Sequence, residues 1–156
     1  MYYKTHSESD TMDFARKLSP MLAPGDTVLL FGELGAGKSV MARGIARGMG
    51  IEGPMPSPTF TLLAPYVGAD GRKLYHFDLY RLNSPEEYYA AGLDEFVGGD
   101  GIAVVEWPQM AEIQPTPALE IDLFRCADEQ TRLIEIQNYD VAGFDPDALS
   151  EWRTEA

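Results

Sequence analysis

A glycine-rich segment with a single lysine, FGELGAGKS at residues 31–39, carries the clearest chemistry in this sequence. It fits the pattern G-x-x-x-x-G-K-[ST] without a mismatch, through Gly32, Glu33, Leu34, Gly35, Ala36, Gly37, Lys38 and Ser39. Glycines let backbone N–H groups turn towards phosphate oxygens, and the N-terminus of a following helix adds partial positive charge. The motif predicts a phosphate loop in which Lys38 reaches the β- and γ-phosphates and the Ser39 hydroxyl binds Mg²⁺. The alternative is a glycine-rich turn with a solvated lysine.

Two acidic residues at the ends of apolar segments could complete such a site. Glu106 follows GIAVV, where a metal-binding acid of a phosphate-loop protein is expected. Asp78 lies in YHFDLYR and, on a strand, shares one face with His76. Either acid could instead be a surface residue, and we interpret His76 as a structural neighbour rather than a ligand. Arg81 could stabilise transition-state charge or form a salt bridge with the following helix.

The segment PMPSPTFTL at residues 54–62 combines prolines with the hydroxyls of Ser57, Thr59 and Thr61. It could close over the γ-phosphate as a switch segment, or it could be a rigid proline turn whose hydroxyls bind the local backbone. None of the lysines lies in the Asn/Thr-Lys-x-Asp segment with which GTPases read guanine. This observation favours ATP over GTP.

The pattern of apolar residues predicts the elements that position these groups. Buried strands are expected at residues 27–32 and 101–107, and hairpins at 59–66 with 73–80 and at 118–125 with 131–136. Helices are expected within residues 9–26, with Pro24-Gly25 as the stop, and at 39–50, 84–97 and 146–153. The first helix would have Ser9 or Asp10 as its N-cap, and Gly44 and Gly48 would pack the second helix on the sheet. We predict an α/β, P-loop NTPase-like fold of three layers, with a mixed, largely parallel central sheet and antiparallel hairpins at the edges, including the second hairpin.

Length and charge describe the chain as a whole. Its 156 residues fit a single domain, 1–156, with a core at about 9–136 and an acidic C-terminal extension at 137–156. The net charge is −13, and residues 83–156 hold 17 Asp and Glu against three Arg. Such a surface repels phosphate backbones, so binding to DNA or RNA by this chain alone is not expected. The acidic half is either a solvated face or a surface for a basic protein partner.

Other features of the composition predict a cytoplasmic protein. Cys126 is the one cysteine, which cannot form an internal disulfide and suits a reducing compartment. The sequence has no apolar run long enough to span a membrane, and its first residues, MYYKTHSESD, contain no apolar signal segment. We therefore expect no membrane association.

Four segments, FGELGAGKS, SPTFTL, YHFDLYRL and VVEW, follow one another within one domain of this size. Together they resemble the bacterial TsaE (YjeE) family, over roughly residues 9–136. The resemblance implies an ATPase of tRNA threonylcarbamoyladenosine biosynthesis that binds ATP and Mg²⁺ and is slow alone. It implies docking on a TsaB–TsaD complex, which modifies the adenosine beside the anticodon, and the ATPase would permit repeated turnover. Contact with tRNA would be indirect, through that complex.

The resemblance also implies roles for particular residues. Ser39 and Glu106 would hold Mg²⁺, with Asp78 as a further candidate ligand. Asp78 would also position or activate the attacking water, which makes Lys38, Asp78 and Glu106 the expected catalytic residues. Beyond the phosphate loop, the expected nucleotide-binding residues are Val40, Thr11, Thr59 and Trp107. Among these, Trp107 would pack beside the site, and Thr11 is the candidate for contact with the base.

Two other classes of function remain open. A small-molecule kinase could use the same loop, but such enzymes need several arginines, and the second half of the chain has only Arg125, Arg132 and Arg153. A nucleotide-sensing module without useful turnover would differ from an accessory ATPase only in its rate. The two acids argue against it.

Overall fold

Helices and strands alternate along the part of the chain that the structure, a computed structural model, describes: residues 1–114 and 117–155. The strands are β1 (Tyr2–Thr5), β2 (Thr27–Phe31), β3 (Leu63–Val67), β4 (Lys73–Asp78), β5 (Ile102–Glu106), β6 (Ala118–Arg125), β7 (Arg132–Asp140) and β8 (Arg153–Thr154). The α-helices are α1 (Glu8–Leu18), α2 (Lys38–Gly48) and α3 (Pro85–Ala90). Short 3-10 helices span Ser19–Met21, Leu93–Phe96, Pro108–Met110 and Pro146–Trp152. Within these residues, no helix combines the length and apolar character that crossing a bilayer requires.

The strands form one mixed sheet in the order β3-β4-β5-β2-β6-β7-β1-β8. The neighbours β4, β5, β2 and β6 are parallel, and the other pairings among the described strands are antiparallel. The predicted mixed sheet is confirmed, but only its centre is parallel. The expectation that both hairpins lie at the edges holds for β3–β4 and is wrong for β6–β7. Strands β1 and β8 continue the sheet beyond β7. All four residues of β1 pair with the first part of β7, and β8 pairs with β1.

Strand β2 shows why the fold has three layers. Val28 and Leu30 pack in one hydrophobic cluster with Ile45 of α2, whereas Leu29 packs in a second cluster with Tyr88 of α3. Because successive side chains of a strand point to opposite faces, both faces of the sheet are covered. A central strand of this kind needs the continuous apolar run that the sequence shows at TVLLF. The three-layer α/β prediction is confirmed.

Helices α1 and α2 pack closely through glycines of α2. A Cβ on Gly44 would overlap the Cβ of Ala15 and would lie 2.8 Å from the carbonyl oxygen of Met12. A Cβ on Gly48 would overlap the side chain of Ser19. The prediction that these glycines face the sheet is therefore wrong. They allow one helix to approach the other, and this contact places the start of α1 beside the phosphate loop.

Three predicted helices differ from the structure. The one predicted at residues 146–153 is a 3-10 helix, Pro146–Trp152, and Arg153 begins β8. The other two differ because of local backbone chemistry. The N-cap of α1 is Ser7, whose side chain accepts a hydrogen bond from the Asp10 N–H at 3.0 Å, so the caps predicted at Ser9 or Asp10 are wrong. The helix predicted at residues 84–97 is interrupted. Only its first part, α3, is an α-helix. Gly92 then takes a left-handed conformation with φ 72°, which ends the helix, and a 3-10 helix follows.

The last residues pack on the N-terminal part of the chain. Strand β7 continues to Asp140, and Leu149 and Trp152 are buried in the same cluster as α1 and α2. The Trp152 indole N–H donates to the Asp10 carboxylate at 2.8 Å, and its ring packs edge-on against Phe14. The hydrophobic core thus reaches into the acidic segment at residues 137–156.

Candidate functional site

The phosphate loop connects the end of β2 to the start of α2, at the carboxyl ends of the parallel strands. Two of its glycines fix its shape. Gly37 has φ 109° at the N-terminus of α2, a conformation that other residues rarely adopt. A Cβ on Gly32 would lie 2.8 Å from the carbonyl oxygen of Leu123 in the neighbouring strand β6. The loop can therefore lie close to the sheet while its helix N-terminus faces the cleft.

The Lys38 ammonium is held inside the loop. Its Nζ donates to the carbonyl oxygens of Gly32 at 2.5 Å and Glu33 at 2.8 Å. It also lies 4.2 Å from the centroid of the Trp107 ring, a cation–π distance. An ammonium has three N–H donors, so one remains for an anion in the cleft.

Burial and nearby carboxylates shift the pKa of Lys38 in opposite directions. Burial lowers the pKa of its ammonium below the ordinary lysine value, and the carboxylates of Glu106 and Asp78 act in the opposite direction. Trp107 contributes to the burial from the turn after β5, where its backbone has φ 59°. Its ring also packs against Tyr80, with centroids 4.9 Å apart. Trp107 therefore lies beside Lys38, at the wall of the cleft.

Glu106, at the end of β5, joins the start of α2 to strand β4. The Ser39 hydroxyl donates to its Oε1 at 3.0 Å, and His76 Nε2 lies 2.6 Å from its Oε2. Glu106 is 3% exposed and His76 is 2% exposed. A carboxylate accepts and does not donate, so Nε2 of His76 carries the proton in this pair. His76 Nδ1 is buried without a partner among the described residues. His76 is thus a neighbour that orients Glu106, a contact that the sequence did not reveal.

Asp78, at the end of β4, is opposite Glu106 in the parallel register. Its Oδ2 accepts hydrogen bonds from the hydroxyls of Ser57 and Thr59, each at 3.0 Å. Its Oδ1 accepts from the Tyr80 N–H at 3.1 Å. The segment after α2 is therefore tied to an acid of the cleft through its hydroxyls, rather than only to its own backbone.

These residues enclose a cavity of about 430 Å³. It is lined by Leu34, Gly35, Gly37, Lys38, Ser39, Val40, Ser57, Thr59, Asp78, Tyr80, Arg81, Glu106 and Trp107. The structure thus brings both acids, Thr59 and Trp107 to one cavity with the predicted residues Leu34, Gly35, Gly37, Lys38, Ser39 and Val40. Gly32, Glu33 and Ala36 line a different cavity, beside strand β6. Arg81 also reaches the cavity that Lys38 lines, where its guanidinium lies 4.5 Å from the centroid of the exposed Phe60 ring. The alternative of a salt bridge from Arg81 to the next helix is wrong for the residues that the structure describes.

A second cavity of about 450 Å³ adjoins the first at the phosphate loop. It lies between the start of α1 and the turn of the β6–β7 hairpin, and Gly35, Gly37 and Val40 line both cavities. Thr11, the candidate for contact with the base, lines this second cavity. Its hydroxyl is 2.6 Å from that of Thr5, and the residue is only 2% exposed. Contact with a ligand would therefore use its carbon atoms more than its hydroxyl.

Comparison with known proteins identifies the family. The family model for TsaE, described as threonylcarbamoyl adenosine biosynthesis protein TsaE, matches residues 5–137. The chain belongs to the TsaE family. The resemblance drawn from the four sequence segments is confirmed, and the chain is a TsaE-family protein of tRNA threonylcarbamoyladenosine biosynthesis.

Individual TsaE proteins are similar over most of their length. The tRNA threonylcarbamoyladenosine biosynthesis protein TsaE of Rickettsia bellii is 39% identical over 135 residues, which are 85% of this chain and 92% of the relative. That of Bacillus subtilis is 37% identical over 133 residues, 84% of this chain and 82% of the relative. The crystal structure of Bacillus subtilis YdiB superimposes with a TM-score of 0.72 at 33% identity, covering 87% of this chain and 83% of YdiB.

Proposed function

We propose that this TsaE-family chain is an accessory ATPase, which binds ATP with Mg²⁺, hydrolyses it and acts on a TsaB–TsaD complex to permit repeated turnover. One observation carries the proposal. Two acids end adjacent parallel strands at the phosphate loop, and each is bound by hydroxyls, Glu106 by Ser39 and Asp78 by Ser57 and Thr59. A simple glycine-rich turn would not require this arrangement. A site for phosphoryl chemistry does.

The donor set at the start of α2 fits Mg²⁺. A serine hydroxyl and a carboxylate are hard oxygen ligands, and the contact of 3.0 Å between Ser39 and Glu106 places them side by side. When bound, Mg²⁺ would neutralise negative charge on the phosphate oxygens. His76 would keep Glu106 oriented by occupying its other oxygen. Asp78 is a further oxygen ligand on the adjacent strand.

Asp78 is suited to position the attacking water. Its Oδ1 accepts one backbone hydrogen bond and its Oδ2 two hydroxyl hydrogen bonds, so the carboxylate is held in one orientation. A carboxylate offers about four acceptor sites, which leaves room for a water proton. In this proposal Asp78 orients the water and takes up its proton, while Lys38 stabilises the charge on the phosphates.

The second cavity is the proposed place of the nucleoside. It meets the first at Gly35, Gly37 and Val40, so a nucleotide whose phosphates lie in the loop would extend into it. Its wall includes the start of α1, where Thr11 lies. A chain with this arrangement would bring its N-terminal helix into contact with the base.

The rim of the first cavity supports action on a protein partner. Leu34 of the phosphate loop is 65% exposed, and Phe60 of the segment bound to Asp78 is 82% exposed. Large apolar side chains at the mouth of a site are typical of surfaces that another protein covers. The net charge of −13 disfavours direct binding to tRNA, which we assign to the TsaB–TsaD complex.

A modification assay over many cycles tests the proposal. Purified TsaB–TsaD, threonylcarbamoyl-adenylate and tRNA are combined with this chain, ATP and Mg²⁺, and modified adenosine is counted per complex. We expect repeated turnover with the wild-type chain and a single round with Lys38→Ala. Lys73→Ala, which removes an exposed lysine paired with Asp100, is the control and should behave as wild type. Repeated turnover with Lys38→Ala would refute the proposed use of ATP.

A further inference from the structure

Arg132, the first residue of β7, lies against the phosphate loop from the side of the β6–β7 hairpin. Its Nε donates to the carbonyl oxygen of Ala36 at 2.9 Å, and its Nη2 is 3.4 Å from that of Gly35. Its Nη1 donates to the carbonyl oxygens of Glu129 at 2.7 Å and Thr131 at 2.9 Å. One guanidinium therefore ties the hairpin turn to a loop 96 residues earlier in the chain.

The turn that carries Arg132 is itself well fixed. The Asp128 carboxylate accepts hydrogen bonds from the Thr131 hydroxyl at 2.7 Å and from the N–H groups of Thr131 and Gln130, each at 2.8 Å. These hydrogen bonds, the hydroxyl bond first, lower the pKa of Asp128. A carboxylate that closes a turn in this way holds the backbone that carries Arg132 in one conformation.

The contact with Ala36 has a consequence for the loop because a peptide unit is planar and trans. The carbonyl of Ala36 and the N–H of Gly37 belong to the same peptide and point in opposite directions. Arg132 holds the Ala36 oxygen from the side of the second cavity, so the Gly37 N–H of the same peptide points the opposite way. An N–H group fixed in this direction is available to a phosphate in the loop. Gly37, at φ 109°, can adopt this orientation without strain.

We propose that Arg132 is a positioning residue, which keeps the phosphate loop in its anion-binding form by holding the carbonyl oxygens of Gly35 and Ala36. The inference rests on the proposed function, since it concerns how the same loop binds a nucleotide. Arg132 also lines the second cavity, and in this proposal it acts through the loop backbone rather than by contact with the nucleoside. Its planar fork is what lets one side chain serve the loop and the turn together.

Arg125 provides a matched control for charge. It pairs with Arg132 across the hairpin, and its Nη1 lies 3.7 Å from where a Cβ on Gly35 would be. Among the described residues it donates no hydrogen bond to the loop. Removing Arg125 takes away a positive charge near the loop and leaves the carbonyl contacts in place.

The experiment is titration of ADP with Mg²⁺ by calorimetry on the wild-type chain and on Arg132→Ala, Arg132→Lys and Arg125→Ala. We expect Arg132→Ala to raise Kd roughly tenfold, as loss of hydrogen bonds from a charged donor does. ADP binding by Arg132→Lys should be weakened to a similar degree, because an ammonium lacks the planar set of N–H donors that a guanidinium has. Arg125→Ala should stay within about twofold of wild type. In ATP hydrolysis, the Arg132 variants should raise KM more than they lower kcat.

Wild-type affinity in Arg132→Ala would overturn the inference, and so would full recovery in Arg132→Lys, because charge alone would then suffice. If Arg132→Ala does not fold, Arg132→Lys decides the question by the same titration. Absence of ADP binding by the folded wild-type chain would instead overturn the proposed function, and the inference with it. Normal unfolding temperatures of the nucleotide-free variants show that the loop, and not the fold, has changed.

Discussion

Asp78 and Glu106 lie opposite each other in the register of two parallel strands, and each is the last residue of its strand. Their hydroxyl partners differ, because Glu106 is bound by Ser39 and Asp78 by the segment that follows α2. The same separation of partners predicts a separation of roles. We predict that Glu106 acts mainly as a metal ligand and that Asp78 acts mainly on the attacking water.

Substitution of Asp78 should therefore affect hydrolysis more than binding. Asp78→Asn keeps the size of the side chain but removes the proton acceptor, and we expect kcat to fall by roughly 10²-fold or more. Affinity for ADP should change by less than about threefold. Single-turnover phosphate release and calorimetry measure the two quantities. A normal kcat for Asp78→Asn in the presence of the partners would contradict the role assigned to Asp78.

Substitution of Glu106 should be revealed by the metal dependence. Glu106→Gln retains an oxygen for Ser39 but has no net charge, so we expect half-maximal activity to need a several-fold higher Mg²⁺ concentration. Affinity for ADP without metal should remain near that of wild type. A titration of Mg²⁺ at fixed ATP gives the result. An unchanged Mg²⁺ requirement would show that Glu106 is not part of the metal site.

Gly44 should be required for the contact between α1 and α2. Alanine normally stabilises a helix interior by about 1 kcal/mol relative to glycine. Here a Cβ would overlap that of Ala15 and lie 2.8 Å from the Met12 oxygen, so we expect Gly44→Ala to destabilise the fold by about 1–3 kcal/mol. Urea unfolding measures the change. The double variant with Ala15→Gly should recover part of the loss, and a stabilised Gly44→Ala would contradict this packing.

Asp122 on β6 should destabilise the fold at neutral pH. Burial raises its pKa, and the neighbouring Glu135 and Glu120 carboxylates raise it further. Because the pKa is raised in the folded state, ionisation of Asp122 lowers the free energy of unfolding. The whole of this loss is present above the folded-state pKa, and none of it is present well below the ordinary value of 3.8. We expect Asp122→Asn to raise the free energy of unfolding by roughly 0.5 kcal/mol at neutral pH. The gain is small because Asp122 is partly solvated and its charge is screened.

The unfolding temperature of Asp122→Asn, followed from neutral pH towards acid, tests this expectation. The gain over wild type should shrink as the pH approaches 3.8, because the wild-type carboxyl then becomes neutral in both states. Glu151→Gln removes the same charge from an exposed position and should change little. A gain that is independent of pH would show that the charge of Asp122 is not its cause.

Local patterns predicted much of the fold. The phosphate loop, the buried strands β2 and β5 and the β3–β4 hairpin follow from residues that are close in sequence. The pairing of β1 with β7 and the approach of α1 to Gly44 depend on long-range contacts, and no local pattern marked them. Strand β8 has only two residues, too few for any periodicity.

The candidate site likewise contains residues that local patterns predicted and one residue, Arg132, that they did not. The motif and the strand ends predicted Lys38, Ser39, Asp78 and Glu106, which the structure brings to one cavity. Arg132 reaches the loop across 96 residues. Its contact depends on the register of the hairpin and on the pairing of β6 with β2, and one sequence does not specify either.

The measurement that tests the central proposal most directly is Mg²⁺-dependent phosphate release from ATP, with and without purified TsaB–TsaD, for the wild-type chain and Asp78→Asn. We expect slow release by the wild-type chain alone, clear stimulation by TsaB–TsaD, and loss of the stimulated rate in Asp78→Asn. Equal rates with and without the complex, and equal rates for the two chains, would contradict the account and would direct attention to a small-molecule phosphoryl acceptor.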